Sequence, residues 1–273
     1  MNPDLQRRVQ RYGWDKAARF YEASWQKQLK PAQNWMLDIA ELTAGEHVLD
    51  VACGTGLVTF PAAKSIGSKG KIVATDLSDG MISIAANIAR EQQVKNVSFA
   101  RMDAEALKIP DESFDIAICA LGIMYVPDPV QTLKEMYRVL KPSGRAAVLT
   151  WGARKNCGWA EIFPIVDRRV KSDVCPLFFQ QGTGQTLAST FKTAGLEGIK
   201  TERLSYSIKY STDEEAYLAA FAGGPVALAY NKFDPQTKDK AHAEYIASIK
   251  KFWDGIQYQI PGEFVTVSGY KFQ

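Results

Sequence analysis

The 273-residue chain has four cysteines, two histidines and no long apolar run, and each shortage closes off a class of function. The cysteines, Cys53, Cys119, Cys157 and Cys175, form no C-x-x-C pair. With only His47 and His242 to help them, a metal site is not expected, and reduced thiols are the plain reading. A formal net charge of +3 is too small for a nucleic-acid partner or an anionic membrane surface. The first residues hold no apolar signal-like stretch, and no run of about 18 apolar residues occurs, so stable membrane insertion is not expected and a cytoplasmic location is. A glycine is missing too. After Gly54-x-Gly56 come Leu57, Val58 and Thr59, so the third glycine of the dinucleotide pattern G-x-G-x-x-G is absent.

What is present is organised around the stretch from His47 to Gly56. Val48, Leu49 and Val51 form the apolar run of a strand covered on both faces, and Asp50 interrupts it. Gly54 and Gly56 then allow a tight turn with close approach of a ligand to the main chain. Residues from about Leu57 to Ser65 can open a helix whose free N–H groups face that turn.

Alternation continues on both sides of this unit. Residues 1–30 are helical in character, and Ala17, Tyr21 and Trp25 fall on one face. A second helix is expected to start at Pro31, carry Trp35, Ile39 and Leu42 on one face, and end at Gly45. Downstream strands are expected at Lys71–Thr75, closing at Asp76, and at Val97–Arg101, Phe114–Ala120 and Arg145–Trp151. Helices capped at Ser78 or Asp79 and at Asp128 separate them. This α/β pattern predicts a doubly wound, mostly parallel, Rossmann-like sheet. Further on, Ile199–Tyr210 makes a sixth strand, a helical insertion follows Thr212, and Phe264–Gly269 makes a last, antiparallel seventh strand. A single domain over 1–273 is expected: an N-terminal helical cap at 1–45, a cofactor core at 46–151, and a substrate-side region with a lid at 152–273.

Ligands of such sheets lie beyond the carboxyl ends of the strands. Asp50, Asp76, Asp103 and Ala120 stand there, one from each of four strands. Asp76, twenty residues past Gly56, is placed for both hydroxyls of a ribose, and a carboxylate there argues against a 2′-phosphate.

The strings V-L-D-V-A-C-G-T-G, A-T-D-L-S-D-G-M at 74–81, M-D-A-E-A-L-K-I-P-D-E-S-F-D at 102–115 and V-L-K-P-S-G-R at 139–145 together resemble the UbiE-like (methyltransferase type 11) branch of class I S-adenosylmethionine-dependent methyltransferases. The resemblance covers roughly residues 10–151. It implies S-adenosylmethionine as cofactor and S-adenosylhomocysteine as product. It further implies that Asp50 and the backbone of Ala52, Gly54 and Gly56 hold the methionine end, and that Asp76 takes the ribose. Leu77 and Met81 would lie against the adenine, Asp103 and Ala104 would read its edge, and the Ala120 carbonyl would meet the methionine ammonium. Tyr12 or Tyr21 resembles the family's N-terminal cap tyrosine.

On the acceptor side, Met124 and Tyr125 replace the Arg-Asn pair of the quinone-methylating members, and the N-P-P-Y tetrapeptide of amino-methylating enzymes is absent. The expectation is therefore methyl transfer to a small-molecule acceptor by in-line displacement, with O or C favoured and N open. Tyr12, Met124, Tyr125 and His242 are the acceptor-side candidates; no base is assigned, and no oligomeric state follows. Two alternatives are arsenite methylation through converging cysteines and a protein that binds the nucleoside without turnover.

Overall fold

The computed structural model describes residues 2–170 and 177–272. Its elements follow in the order α1 (Pro3–Ala40), β1 (His47–Val51), α2 (Thr59–Ile66), β2 (Lys71–Asp76), α3 (Asp79–Glu91), β3 (Val97–Arg101) and β4 (Phe114–Ala120). Then come α4 (Pro129–Val139), β5 (Leu140–Trp151), α5 (Ile162–Asp167), α6 (Thr186–Thr193) and β6 (Glu197–Tyr210). The chain closes with α7 (Asp213–Phe221), α8 (Ala227–Tyr230), α9 (Pro235–Ile249) and β7 (Tyr258–Tyr270).

The seven strands lie in one sheet in the order β3-β2-β1-β4-β5-β7-β6. β1 is central and parallel to β2 on one side and to β4 on the other. β7 alone runs antiparallel, to both β5 and β6. From β1 the chain winds outward through β2 and β3, then returns to lay β4 against the other side of β1. That reversal opens a crevice beyond the carboxyl ends of β1 and β4. Asp50 pairs in register with Ala74 and Ile118, which places a buried carboxylate at the floor of the crevice.

Besides β5, which begins at Leu140 where a turn before Arg145 is expected, two stretches differ from expectation. The two N-terminal helices are one, α1, with Pro31 inside it. A proline there cannot donate to the carbonyl four residues back and costs about 3 kcal/mol against a regular helix. The helix continues because its buried stripe does: Trp25, Leu29, Ala32, Met36 and Ala40 are all buried against the core. Trp35 and Ile39, expected on the inner face, are only part-buried at its edge. The other difference is β7, which begins at Tyr258, six residues before the expected start. Its early half, Pro261 included, pairs with β6 from Tyr210 back to Ser207.

The helices α7, α8 and α9 lie between β6 and β7 in the chain, as the expected insertion. They are fastened to α1: the indole Nε1 of Trp25 donates to the carbonyl of Gly223 at 3.1 Å. Cap chemistry follows the sequence closely. Asp128, Thr212 and Asp234 each accept a hydrogen bond from the backbone N–H three residues on.

Candidate cofactor and acceptor site

In the crevice at the switch point lies a cavity, lined by residues from the ends of four strands and from α1. β1 and the turn after it supply Asp50, Ala52 and Gly54 to its wall. Asp76 and Leu77 come from the end of β2, with Met81 from the first turn of α3. Asp103 and Ala104 follow β3, Ala120 ends β4, and Tyr21 comes from α1. Gly56, named with these from the sequence, is not in that wall. Its φ is +95°, and a Cβ there would sit 2.5 Å from the Phe60 ring, so the turn and its packing demand the glycine. Gly122 answers a second close approach, because a Cβ on it would lie 2.4 Å from that of Ala52.

Hydrogen bonding organises the two central carboxylates differently. Asp76 accepts from the N–H of Gly54 at 2.9 Å through Oδ2, and from that of Ser78 at 2.8 Å through Oδ1. Asp50, 1% exposed, accepts from the Thr59 hydroxyl at 2.6 Å, while its Oδ1 has no partner among the described residues. Burial pushes the Asp50 carboxyl up from 3.8 to about 7, opposed by Thr59 and reinforced by the charge of Asp76. Burial also pushes Asp76 up, to about 6, against its backbone N–H bonds. Two carboxyls with raised values, one of them with an oxygen left unpartnered among the described residues, suit a ligand that brings positive charge and several donors.

The helix α1 closes the mouth of this cavity. Arg7 pairs with Glu105 at 2.6 Å and with Asp103 at 3.0 Å, and Arg11 pairs with Asp79 at 2.5 Å. Asp15 accepts from the Ser78 hydroxyl at 2.6 Å and from the Gly80 N–H at 2.9 Å. From the underside of the helix Arg7, Gln10, Trp14 and Tyr21 face the cavity. These are the positions reached by running the period of Ala17, Tyr21 and Trp25 backwards. Tyr12 is out of phase with them and stands exposed beside Arg11, outside the cavity wall. Asp103 is engaged by Arg7 and also caps the N–H of Glu105 at 3.0 Å.

A second, smaller compartment adjoins the first, sharing Trp14, Tyr21, Leu121 and Tyr125 as walls. Met124 lines it, and Tyr125 faces both compartments. His242 lines neither. It stacks on Tyr217 with ring centroids 3.9 Å apart and shares a hydrogen bond with the Tyr230 hydroxyl at 3.0 Å, within the helical insertion. Its ring belongs to the packing of α7, α8 and α9. Trp151, Trp159, Phe178 and Pro225, which the motifs did not single out, complete the compartment. Trp159 shows in the chain only as part of a short apolar helical stripe with Ile162, Phe163 and Val166, and Phe178 lies where strand–helix alternation lapses.

The match to known proteins bears on this geometry. Residues 25–167 match the model of the ubiE/COQ5 methyltransferase family. The chain belongs to that family. A demethylmenaquinone methyltransferase of Listeria welshimeri is 35% identical over 127 residues, 46% of this chain and 54% of that protein. The ubiquinone/menaquinone biosynthesis C-methyltransferase UbiE of Marinomonas sp. (strain MWYL1) is 42% identical over 107 residues, 39% of this chain and 43% of that one. The chain thus spans about half the length of the curated relatives it matches. In fold it is similar to the YcgJ protein of Bacillus subtilis, with a TM-score of 0.62 at 19% identity, covering 89% of this chain and 99% of that one.

The strand-end residues suit the family's nucleoside. The orphaned Asp50 Oδ1 calls for a donor, and Asp76 keeps lone pairs free beyond its two N–H bonds. Leu77, Met81, Met102 and Ala104 offer apolar surfaces to a flat base. The cysteines do not suit soft-metalloid chemistry. Burial pushes the Cys119 and Cys157 thiols up to about 12 and raises Cys53 as well, so they stay protonated at neutral pH. Among the described residues no cluster of His, Cys, Asp or Glu could hold a metal ion; Cys175 lies outside them. Nor is any described helix long and apolar enough to cross a membrane.

Proposed function

We propose that this protein transfers a methyl group from S-adenosylmethionine to a small-molecule acceptor, with O- or C-methylation favoured over N. The observation that carries the reading is the carboxylate pair, Asp50 and Asp76, in the wall of the cavity at the switch point. Family membership supports it, as does the joint placement of Tyr21, Ala52, Gly54, Leu77, Met81, Asp103, Ala104 and Ala120 in the same wall. The chain acts as a single domain, with 1–45 as cap, 46–151 as core and 152–273 completing the sheet and carrying the lid.

When bound, S-adenosylmethionine supplies a methyl already activated on a sulfonium. The chain's contribution is therefore alignment and exclusion of water rather than acid–base machinery. Asp76 would accept from the ribose hydroxyls and Asp50 would face the amino-acid end. Trp14, Tyr21 and Tyr125 stand between the two compartments, edge to face at centroid distances of 5.7 and 5.1 Å. They are placed to seat the acceptor against the methyl and to keep solvent from the line of displacement. Met124 and Tyr125 stand where quinone-methylating members have Arg-Asn, which supports an acceptor other than a quinone precursor.

Calorimetry with S-adenosylhomocysteine tests the cofactor half. Methyl release from labelled S-adenosylmethionine over a panel of phenols, enols and amines tests the rest. Tight nucleoside binding with no turnover on any class would leave a binding protein instead.

A further inference from the structure

The turn after β1 runs through three residues of positive φ. Ala52, Gly54 and Gly56 stand at 56°, 56° and 95°, and Ala52 does so without a glycine's freedom. Such a turn keeps its shape only when its surroundings hold it. β2 holds the first half: the N–H of Cys53 donates to the Thr75 carbonyl at 2.9 Å, and that of Gly54 to Asp76 at 2.9 Å. The second half is held from α1. Thr55 is 0% exposed, and its hydroxyl donates to Oε1 of Glu22 at 2.6 Å, the length of a bond to an ionised carboxylate.

Glu22 continues the side of α1 that carries Arg7, Arg11 and Asp15, at helical spacing. Along that side the helix meets the loops after three neighbouring strands. Arg7 pairs with Asp103 and Glu105 after β3, Asp15 bonds Ser78 and Gly80 after β2, and Glu22 bonds Thr55 after β1. The residue before it, Tyr21, lines the cavity, and a Cβ on Gly54 would lie 3.8 Å from the Tyr21 ring. Ala52 and Gly54 line the cavity too, whereas Glu22 does not. It opens instead on a groove between α1, α2 and α3 that it shares with Lys27 and Lys30. Its reach into the cavity is therefore through Thr55. Without Glu22 the buried Thr55 hydroxyl would lose its partner, and the turn would have to shift to find another.

We propose that Glu22 is a positioning residue for the amino-acid end of the nucleoside: through Thr55 it holds the Gly54–Gly56 turn, and with it the backbone of Ala52 and Gly54, in the shape that end requires. This deepens the methyltransferase reading and rests on it. Glu22 makes no contact with the ligand, and what it supplies is a hydrogen-bond acceptor rather than a charge.

The test is calorimetry on the full chain at pH 8 with two probes, S-adenosylhomocysteine and adenosine, which lacks the amino-acid end. Glu22→Ala is expected to weaken S-adenosylhomocysteine about tenfold and adenosine less than about twofold. Thr55→Val should do the same. The double variant should lose no more than either single one, because each breaks the same bond. Glu22→Gln keeps an acceptor oxygen and Thr55→Ser keeps the hydroxyl, so both should bind as the wild type does. Should Glu22→Ala fail to fold, Thr55→Val set against Thr55→Ser carries the comparison. Equal weakening of the two probes would show a merely structural role and overturn the proposal, as would unchanged binding of S-adenosylhomocysteine. So would additive losses in the double variant, or a loss in Glu22→Gln as large as in Glu22→Ala, which would make the charge the active feature. Failure of S-adenosylhomocysteine to bind the wild-type chain would instead remove the methyltransferase reading on which the proposal stands.

Discussion

Asp76 and Asp50 share a cavity but answer to different physics. Asp76 is satisfied by two backbone N–H groups and still has capacity, so its loss should act on the ligand more than on the fold. Asp76→Ala is expected to weaken S-adenosylhomocysteine about a hundredfold, the loss of two hydrogen bonds to a charged acceptor; calorimetry reads it directly, and an unchanged Kd would count against the ribose assignment. Asp50 carries a cost in the absence of ligand. Its folded-state carboxyl, at about 7, lies above the ordinary 3.8, so the folded chain holds that proton more tightly than the unfolded one. The resulting stabilisation is full below about pH 4 and is lost as pH rises through about 7; Asp76, at about 6, acts in the same direction. Asp50→Asn is therefore expected to raise the Tm of the ligand-free protein at pH 8, leave it nearly unchanged at pH 4, and weaken the nucleoside. Thermal scans at the two pH values check it. Nucleoside affinity should in turn fall as pH drops through 7 to 6, because both carboxyls must be ionised to bind; a flat affinity from pH 8 to pH 5.5 would contradict this.

At the scale of the element, α1 has two tasks set by different stretches of its length. Its N-terminal third is clamped over the cavity by Arg7, Arg11 and Asp15. The partners of Arg7 sit at the mouth, and the Glu105 side chain is itself almost buried. Arg7→Ala should speed release of S-adenosylhomocysteine by roughly fivefold, the worth of a part-exposed ion pair of about 1 kcal/mol. Stopped-flow displacement measures that rate, and no change would mean the helix does not gate the cavity. Its C-terminal third is core, and Pro31 sits at that join. Pro31→Ala restores a backbone donor inside a helix, so a gain of about 1–3 kcal/mol is expected, seen as a higher denaturant midpoint at unchanged m. A lower midpoint would show that neighbours have packed to fit the proline.

At the scale of the whole molecule, ligand and fold are linked. S-adenosylhomocysteine at about a hundred times its Kd should add about 2.7 kcal/mol, or roughly 5–10 °C in Tm. The gain should be largely lost in Asp76→Ala at the same concentration.

Much of this was legible in the chain. The order of strands and helices showed in the alternation of apolar runs with capped helical stretches, because both burial and capping act locally. The strand-end residues could be placed from spacing alone, since a doubly wound sheet brings successive strand ends to one edge. Tyr12, His242 and Gly56, expected at the site, lie outside the cavity wall for reasons of geometry. A helix turns 3.6 residues per turn, so Tyr12 faces away from the line of Trp14 and Tyr21. His242 is held by its own insertion, and Gly56 serves the turn.

The chain by itself determined the sheet, the switch point and the residues at it, since each follows from short-range pattern. Only the tertiary structure decided the second compartment. Trp14 from α1, Trp151 from the end of β5, Trp159 and Phe178 from the segment after it, and Pro225 from the insertion meet around one compartment. No local period links positions so far apart in the chain, and their meeting depends on how α1 and the insertion pack across the strand ends.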